Sequence, residues 1–391
     1  MFEIQAGVDK DKLRSEFARL YGTRPRLFRA PGRINLIGEH TDYNDGFVLP
    51  MAIDRETVVA AAVRDDRLIR ACSFAQGETV ELDLDRPGSP RRGVWFDYVE
   101  GVAQALIGHG KLLRGGDLLI ESTVPVGAGL SSSAALEISI GFALLVVSGE
   151  KLDPLSLALA GRDAEHNYVG TMCGIMDQYS ATFARAGHAL QIDCRSLEST
   201  LVPIDLSDTA IVVSDTNMKH NLASSEYNKR RAECEQGVRL LRQVLPDIAA
   251  LRDVSISQFE DHQDRLPELI SRRCRHVITE NERTLRAADA LRASDLQTMG
   301  ALMAESHKSL RDDYEVSCVE LDLMFEIAQS LDQVIGARMT GGGFGGCTIN
   351  LVRRDGIEAF CEAILVGYQR ETGITPTCYV VTASDGVSEI T

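Results

Sequence analysis

The stretch SSAALEISIGFALLVVSG, residues 132–149, restricts this chain more than any other segment. It is long, apolar and free of proline, which predicts a buried helix. A helix that is apolar round its circumference has to be enclosed by other elements. Short β-like runs precede it, TVVAAAV from Thr57 and DLLIEST from Asp117, broken by turn signals such as DRPGSPRRG. Downstream, Cys234, Val238, Leu241 and Leu245 recur at i, i+4, i+7 and i+11, one face of an amphipathic helix. Leu285, Ala288, Leu291, Met299 and Leu302 mark a second helical region, and strand signals return at CTINLV and TCYVVTA. Strands, then helices, then strands again predict an α+β fold with two lobes, residues 1–200 and 201–391.

Composition narrows the partners. With 391 residues, 44% of them apolar, the chain has the profile of a soluble globular protein of one large or two joined domains. A formal net charge of −16 argues against nucleic acid or an anionic membrane as a partner, while leaving room for a small anionic substrate. The first residues carry acids from position 3 and no apolar core, so no signal peptide is expected, and runs such as FALLVV fall far short of a membrane span. Nine cysteines without a C-x-x-C pair, and eight histidines without metal spacing, predict reduced thiols in a cytoplasmic protein and no structural zinc.

Chemistry concentrates in a few segments. GRINLIGEHTDYNDGFVLP, residues 32–50, sets Arg33, Glu39, His40 and Asp42 among Ile34, Leu36, Ile37, Val48 and Leu49. Charges in such company need partners, because burying one alone costs several kcal/mol. They form either a structural ion-pair cluster around Arg33 or a binding clamp. VPVGAGLSSSAALE, residues 124–137, places glycines and three serines ahead of the helix. That arrangement suits a phosphate at a helix N-terminus, or a tight strand-to-helix turn with a serine cap. It is not a Walker sequence, since no Lys-Ser/Thr follows the last glycine. MTGGGFGGCTINLV, from Met339, contains a literal G-x-G-x-x-G, but a strand signature follows where a dinucleotide site needs a helix. A glycine turn beside a ligand or a plain hairpin loop remains. In AEHNYVGTMCGIMDQYSA, residues 164–181, Asp177 and Glu165 are the candidate acids.

Together these stretches resemble the galactokinases, within the small-molecule kinase superfamily that also holds homoserine, mevalonate and phosphomevalonate kinases. GRINLIGEHTDYNDG is similar to the galactokinase signature; GLSSSAALE, CGIMDQ, SSEYNKRRAEC, SHKSLRDDYEVSC and TGGGFGG are similar to the remaining blocks, in the family's order. The resemblance runs from about residue 20 to the C-terminus. It implies a two-lobed fold with the active site between the lobes, and ATP-dependent phosphorylation of α-D-galactose at the anomeric hydroxyl. By that resemblance Arg33 and Asp177 match the catalytic pair, and Glu39, His40, Asp42, Gly174, Asp177 and Tyr227 match sugar contacts. Gly127, Ala128, Gly129, Leu130, Ser131, Ser132 and Ser133 match the triphosphate cradle, Ser133 and Glu165 the magnesium site, and Trp95 an adenine-side contact.

Those implications give the charged cluster a purpose: a hexose offers hydroxyls, and carboxylates are their strongest acceptors. Asp177 is expected to take the anomeric proton. A carboxylate pKa near ~3.9 against ~15.7 for water, a stand-in for a hydroxyl, places that transfer during or after P–O bond formation. Galactose and Mg-ATP are the expected partners, with neither nucleic acid nor membrane, for a monomer or weak homo-oligomer. A kinase for N-acetylgalactosamine or L-arabinose shares the same blocks. A galactose sensor without catalysis is the other alternative, and the intact GLSSSAA turn and the retained Asp177 argue against it, since a pure sensor need keep neither. Tyr227 reads either as a sugar contact or as the first core residue of its helix.

Overall fold

The computed structural model describes residues 7–75, 77–218 and 223–390; the acidic start discussed above lies partly outside them. In chain order the elements are α1 (Lys10–Tyr21), β1 (Arg26–Asn35), β2 (Phe47–Val48), β3 (Pro50–Val63), β4 (Leu68–Ser73), β5 (Thr79–Asp83), α2 (Phe96–Gly108) and β6 (Gly116–Ser122). Then follow α3 (Ser132–Val147), α4 (Pro154–Ala164), α5 (Met176–Phe183), β7 (His188–Asp193), β8 (Glu198–Pro203) and β9 (Thr209–Asp215). The remainder comprises α6 (Ala223–Leu241), α7 (Ile256–His262), α8 (Glu268–Arg292), α9 (Leu296–Asp312), α10 (Val319–Gln329), β10 (Val334–Thr340), β11 (Cys347–Arg353), α11 (Ile357–Thr372), β12 (Thr377–Val381) and β13 (Ser388–Ile390).

The predicted α+β class holds. A six-stranded sheet runs β13-β1-β3-β6-β4-β5, antiparallel except for the β4–β6 pair. Strand alternation sorts its side chains onto two faces. Phe28, Val59 and Leu118 face α2, α3 and α4, whereas Leu27, Val58 and Leu119 meet Leu13 and Phe17 of α1. The helix expected from residues 132–149 is α3, and eleven of its residues from Ala134 to Leu145 are buried, which accounts for its unbroken apolarity. A four-stranded antiparallel sheet, β10-β11-β9-β12, packs Val212, Ala337 and Val352 against α10 and α11.

The structure refines two of these expectations. Residue 200 falls inside β8, which pairs with β7 residue by residue, and β13 returns to β1. A core containing Ile34, Ile37, Met51, Ile211, Val213, Leu302 and Tyr379 draws on both halves. The second helical region is present, as the two helices α8 and α9. Ser294 takes a left-handed φ of 55°, and Asp295 then caps α9 by accepting from the Thr298 amide, so Leu285 and Met299 do not share one face. Leu245 lies beyond the end of α6 but still packs in the cluster of Cys234, Val238 and Leu241.

Candidate active site

A cavity of about 300 Å³ opens where the end of β1, the turn before α3, the start of α5, the start of α6 and the β10–β11 hairpin converge. Arg33 reaches it from β1, at a register shift opposite β3. Gly32 allows the approach, since a Cβ there would stand 2.7 Å from the Leu130 carbonyl; the Arg33 amide donates to that same oxygen. The Arg33 guanidinium is almost fully buried and forks onto Asp177, Nε to Oδ1 at 2.9 Å and Nη2 to Oδ2 at 2.7 Å. Its Nη1 donates to the Gly129 carbonyl at 2.6 Å. Such a bidentate pair fixes both position and charge.

Ser131 is the first serine of the turn that suits either a phosphate or a serine cap. It occupies the N-cap position of α3 in a left-handed conformation, φ 58°, yet makes no side-chain cap bond. Its hydroxyl donates to Asp177 Oδ2 instead. The first amides of α3 thus remain uncapped by Ser131, the arrangement that makes a helix N-terminus receptive to anions. Asp177 itself lies in the first turn of α5 and is reached from three directions: Arg33, Ser131 and the cavity.

Glu165 ends α4 and opens a short π-helical turn, Glu165–Val169, a distortion that recurs at functional sites. Its carboxyl is buried and bonded to Ser133, and its charge acts on Glu137, whose side chain is fully buried and accepts from Gln178 Nε2. Burial first, and the neighbouring acids second, hold both glutamates above the ordinary carboxylate range. No cationic side chain contributes to the balance at Glu165.

The signature segment forms the opposite wall. All three donors to Glu39 converge on Oε1: the Gly341 amide at 2.7 Å, Thr340 Oγ1 at 3.1 Å and Arg338 Nη1 at 3.4 Å. Among the described residues no hydrogen bond falls on Oε2, which leaves it to accept. His40 is buried, has φ 63°, and places Nδ1 2.7 Å from the Tyr43 hydroxyl. Burial lowers its pKa to about 3, with His276 adding to the effect and the Gly342 backbone partly offsetting it. Asp42 accepts the Tyr43 amide and is pushed up to about 7, chiefly by burial and then by Asp177. A Cβ at Gly174 would sit 2.0 Å from Asp42 Oδ2, so only glycine fits there. Tyr227, on α6, completes this wall 5.3 Å from the His40 ring, and burial raises its phenol well above its usual range.

Of the residues singled out from the sequence, Arg33, Glu39, His40, Asp42, Gly127, Gly129, Leu130, Ser131, Ser132, Ser133, Glu165, Gly174, Asp177 and Tyr227 all line the cavity. Ala128 and Trp95 do not. Ala128 is buried, with its carbonyl against Gly346. Trp95 stands before α2, donates from Nε1 to Glu78 at 2.7 Å and packs on the sheet core. The structure also brings in Tyr98, Thr171, Cys173, Met176, Gly341 and Gly342. Cys173 and Met176 lie within CGIMDQ and the glycines within TGGGFGG, whereas Tyr98 and Thr171 carry no motif signal. The two glycine-rich turns touch backbone to backbone: a Cβ on Gly341 would meet the Gly129 carbonyl at 3.1 Å.

An arginine–aspartate pair beside an open helix N-terminus, reached by a polar clamp, suits a small-molecule kinase, and the comparisons show that class. Residues 97–185 match the profile described as "GHMP kinases N terminal domain" and residues 287–365 match "GHMP kinases C terminal". The mevalonate kinase of Methanococcus jannaschii shares the fold at a TM-score of 0.65 and 17% identity, over 93% of this chain and 100% of that one. Residues 15–63 match the "Galactokinase galactose-binding signature". The chain is 49% identical to a galactokinase of Chloroflexus aggregans, covering 99% of this chain and 98% of the relative. It is 49% identical to one from a Roseiflexus species, covering 98% of each. The Lactococcus lactis galactokinase solved with galactose superposes at a TM-score of 0.92 with 37% identity, over 97% of this chain and 99% of that one. The chain belongs to the galactokinase family.

Proposed function

We propose that this chain transfers the γ-phosphoryl group of ATP to the anomeric hydroxyl of α-D-galactose. The observation that carries the reading is Asp177, held by Arg33 and Ser131 on a cavity that Glu39, His40 and Asp42 also line. Galactose occupies the Glu39–Asp42 side, its hydroxyls donating to Glu39 Oε2 and Asp42. Tyr227 closes the site. The triphosphate takes the turn from Gly127 to Ser133, where glycine backbone and the α3 amides supply donors.

Phosphoryl transfer draws its rate from positioning and charge stabilisation. Asp177 orients the attacking hydroxyl and receives its proton as the new P–O bond forms. Arg33 holds that carboxylate by two hydrogen bonds and lends positive charge to the transferring group. Ser133 and Glu165 fit a magnesium ion: Glu165 is a buried acid without a cationic partner, beside a hydroxyl. Among the described residues no group of three or more His, Cys, Asp or Glu could hold a metal. Magnesium commonly keeps few protein ligands, which the pair Ser133 and Glu165 would suit. When bound, it would neutralise part of the phosphate charge.

The test is ATP consumption with galactose, glucose, N-acetylgalactosamine and L-arabinose, for the parent and for Tyr227→Phe. A site that hydrogen-bonds the 4-hydroxyl should disfavour glucose by about 10⁴ in kcat/KM, and the phenylalanine should erode that ratio. Faster turnover of another sugar would reassign the substrate. Binding of galactose and ATP without turnover would identify a sensor instead.

A further inference from the structure

We propose that Tyr43 fixes the tautomer of His40, through a chain of hydrogen bonds ending at Cys234, so that His40 presents Nε2–H as a donor to the sugar. The inference deepens, and rests on, the reading of the cavity as a galactose site.

The chain crosses from α6 to the signature turn. Cys234 Sγ lies 3.1 Å from the Tyr314 hydroxyl, which lies 2.8 Å from the Tyr43 hydroxyl, which lies 2.7 Å from His40 Nδ1. Cys234, Tyr314 and His40 are buried and Tyr43 is half-buried, so bulk water does not set the pattern. Each hydroxyl has one proton, which leaves two directions. In one, the thiol donates to Tyr314, Tyr314 to Tyr43, and Tyr43 to Nδ1. In the other, Nδ1–H donates to Tyr43, Tyr43 to Tyr314, and Tyr314 to sulfur.

Acceptor strength separates the two. The imidazole nitrogen lone pair is a strong acceptor and the thiol sulfur a weak one, so the first direction ends on the better acceptor and the second on the poorer. No proton transfer along the chain upsets this order. Burial holds both phenols and the thiol in their protonated forms, and keeps the imidazole neutral. With Nδ1 accepting, the ring proton resides on Nε2. That nitrogen is buried, has no partner in hydrogen-bond geometry among the described residues, and belongs to a residue lining the cavity; the Gly342 backbone nearby also favours a proton on the ring.

The ring cannot easily turn to escape this assignment. The His40 carbonyl accepts from Asn44 Nδ2 at 2.9 Å, and the ring lies between Tyr314 and Tyr227, with centroids 4.8 and 5.3 Å away. The clamp then combines two carboxylate acceptors with one donor, and the hydroxyl facing His40 has to offer a lone pair. Tyr43 acts through His40 as a positioning residue.

Histidine-labelled protein examined by nitrogen-15 NMR decides the point, with His40 assigned by loss of its signals in His40→Gln. The parent should show the Nε2–H tautomer in the ligand-free state. Tyr43→Phe should mix the tautomers and raise the galactose KM about tenfold, the equivalent of ~1.4 kcal/mol, with the ATP KM unchanged. Tyr314→Phe should act in the same direction but less strongly. An Nδ1–H tautomer in the parent overturns the proposal, and this reading needs no variant of Tyr43 to fold. An unchanged His40 spectrum together with an unchanged galactose KM in folded Tyr43→Phe also overturns it. Failure of the parent to bind galactose would strike the reading of the cavity instead, while the spectrum still reports the tautomer.

Discussion

Asp177 receives two hydrogen bonds from Arg33 and one from Ser131, whereas Asp42, on the same cavity, accepts the amide of its neighbour Tyr43. Burial and then Asp177 raise the pKa of Asp42, and the charge of Arg33 offsets them only in part. The chain thus compensates one carboxylate in advance and leaves the other to be satisfied by what enters. This contrast fits their tasks. A proton acceptor has to be ionised and aimed before the reaction starts, because reorganisation at that moment would add to the barrier. A recognition group gains selectivity by being incomplete, since a ligand lacking the matching hydroxyl leaves it unpaired.

The comparison breaks most visibly at Asp177. Asp177→Asn keeps the size of the side chain but removes the proton acceptor and the charge opposite Arg33. We expect kcat to fall by at least about 10², the low end for a positioned acid–base group, with galactose and ATP dissociation constants nearly unchanged. Turnover above half the parent rate in folded protein would remove Asp177 from the chemistry. A matching loss of galactose affinity would instead make it a recognition group, like Asp42.

Glu165 sharpens the same contrast with a smaller effect. It is another acid without a cationic partner, on the phosphate side. Glu165→Ala and Ser133→Ala should each raise the magnesium concentration for half-maximal rate at saturating ATP about tenfold, which corresponds to ~1.4 kcal/mol. An unchanged half-saturation point in both variants would place the ion elsewhere.

The sequence reveals these residues unevenly, for physical reasons. Arg33, Glu39, His40 and Asp42 stand out because charges among Ile34, Ile37 and Leu49 demand partners. Which partners they find is decided by tertiary contact. Ser131 has the signature of a helix cap, and its diversion to Asp177 follows from the way β1 presses the turn before α3 against α5. Glu39 is held by Thr340 and Gly341, from a hairpin far along the chain, and no local periodicity encodes that. The buried helix α3 and the strands after the glycine hairpin are legible, because apolar pattern reports burial directly. The break between α8 and α9 depends on one left-handed serine and an aspartate cap, which the apolar spacing does not register. Trp95 shows the converse: a position matched by resemblance whose side chain is engaged by Glu78, away from the cavity.

The smallest expected effect concerns stability and tests Asp42 alone. In the ligand-free protein its pKa stands at about 7, raised by burial and by Asp177, against ~3.9 in an unfolded chain. Between those values the folded state holds a proton that the unfolded state has released. The contribution to stability is therefore complete below about pH 4 and is lost as the pH rises through about 7. Asp42→Asn cannot ionise and lacks this dependence. Relative to the parent, its Tm should rise by a few degrees between pH 5 and pH 8. Galactose should reverse the trend in the parent, because hydroxyls donating to Asp42 favour its charged form. Its stabilising effect should then be greater at pH 8 than at pH 5, and this difference should vanish in Asp42→Asn. Parallel Tm curves for the two proteins, with and without sugar, would mean that Asp42 is compensated as fully as Asp177, and the contrast between the two walls would be lost.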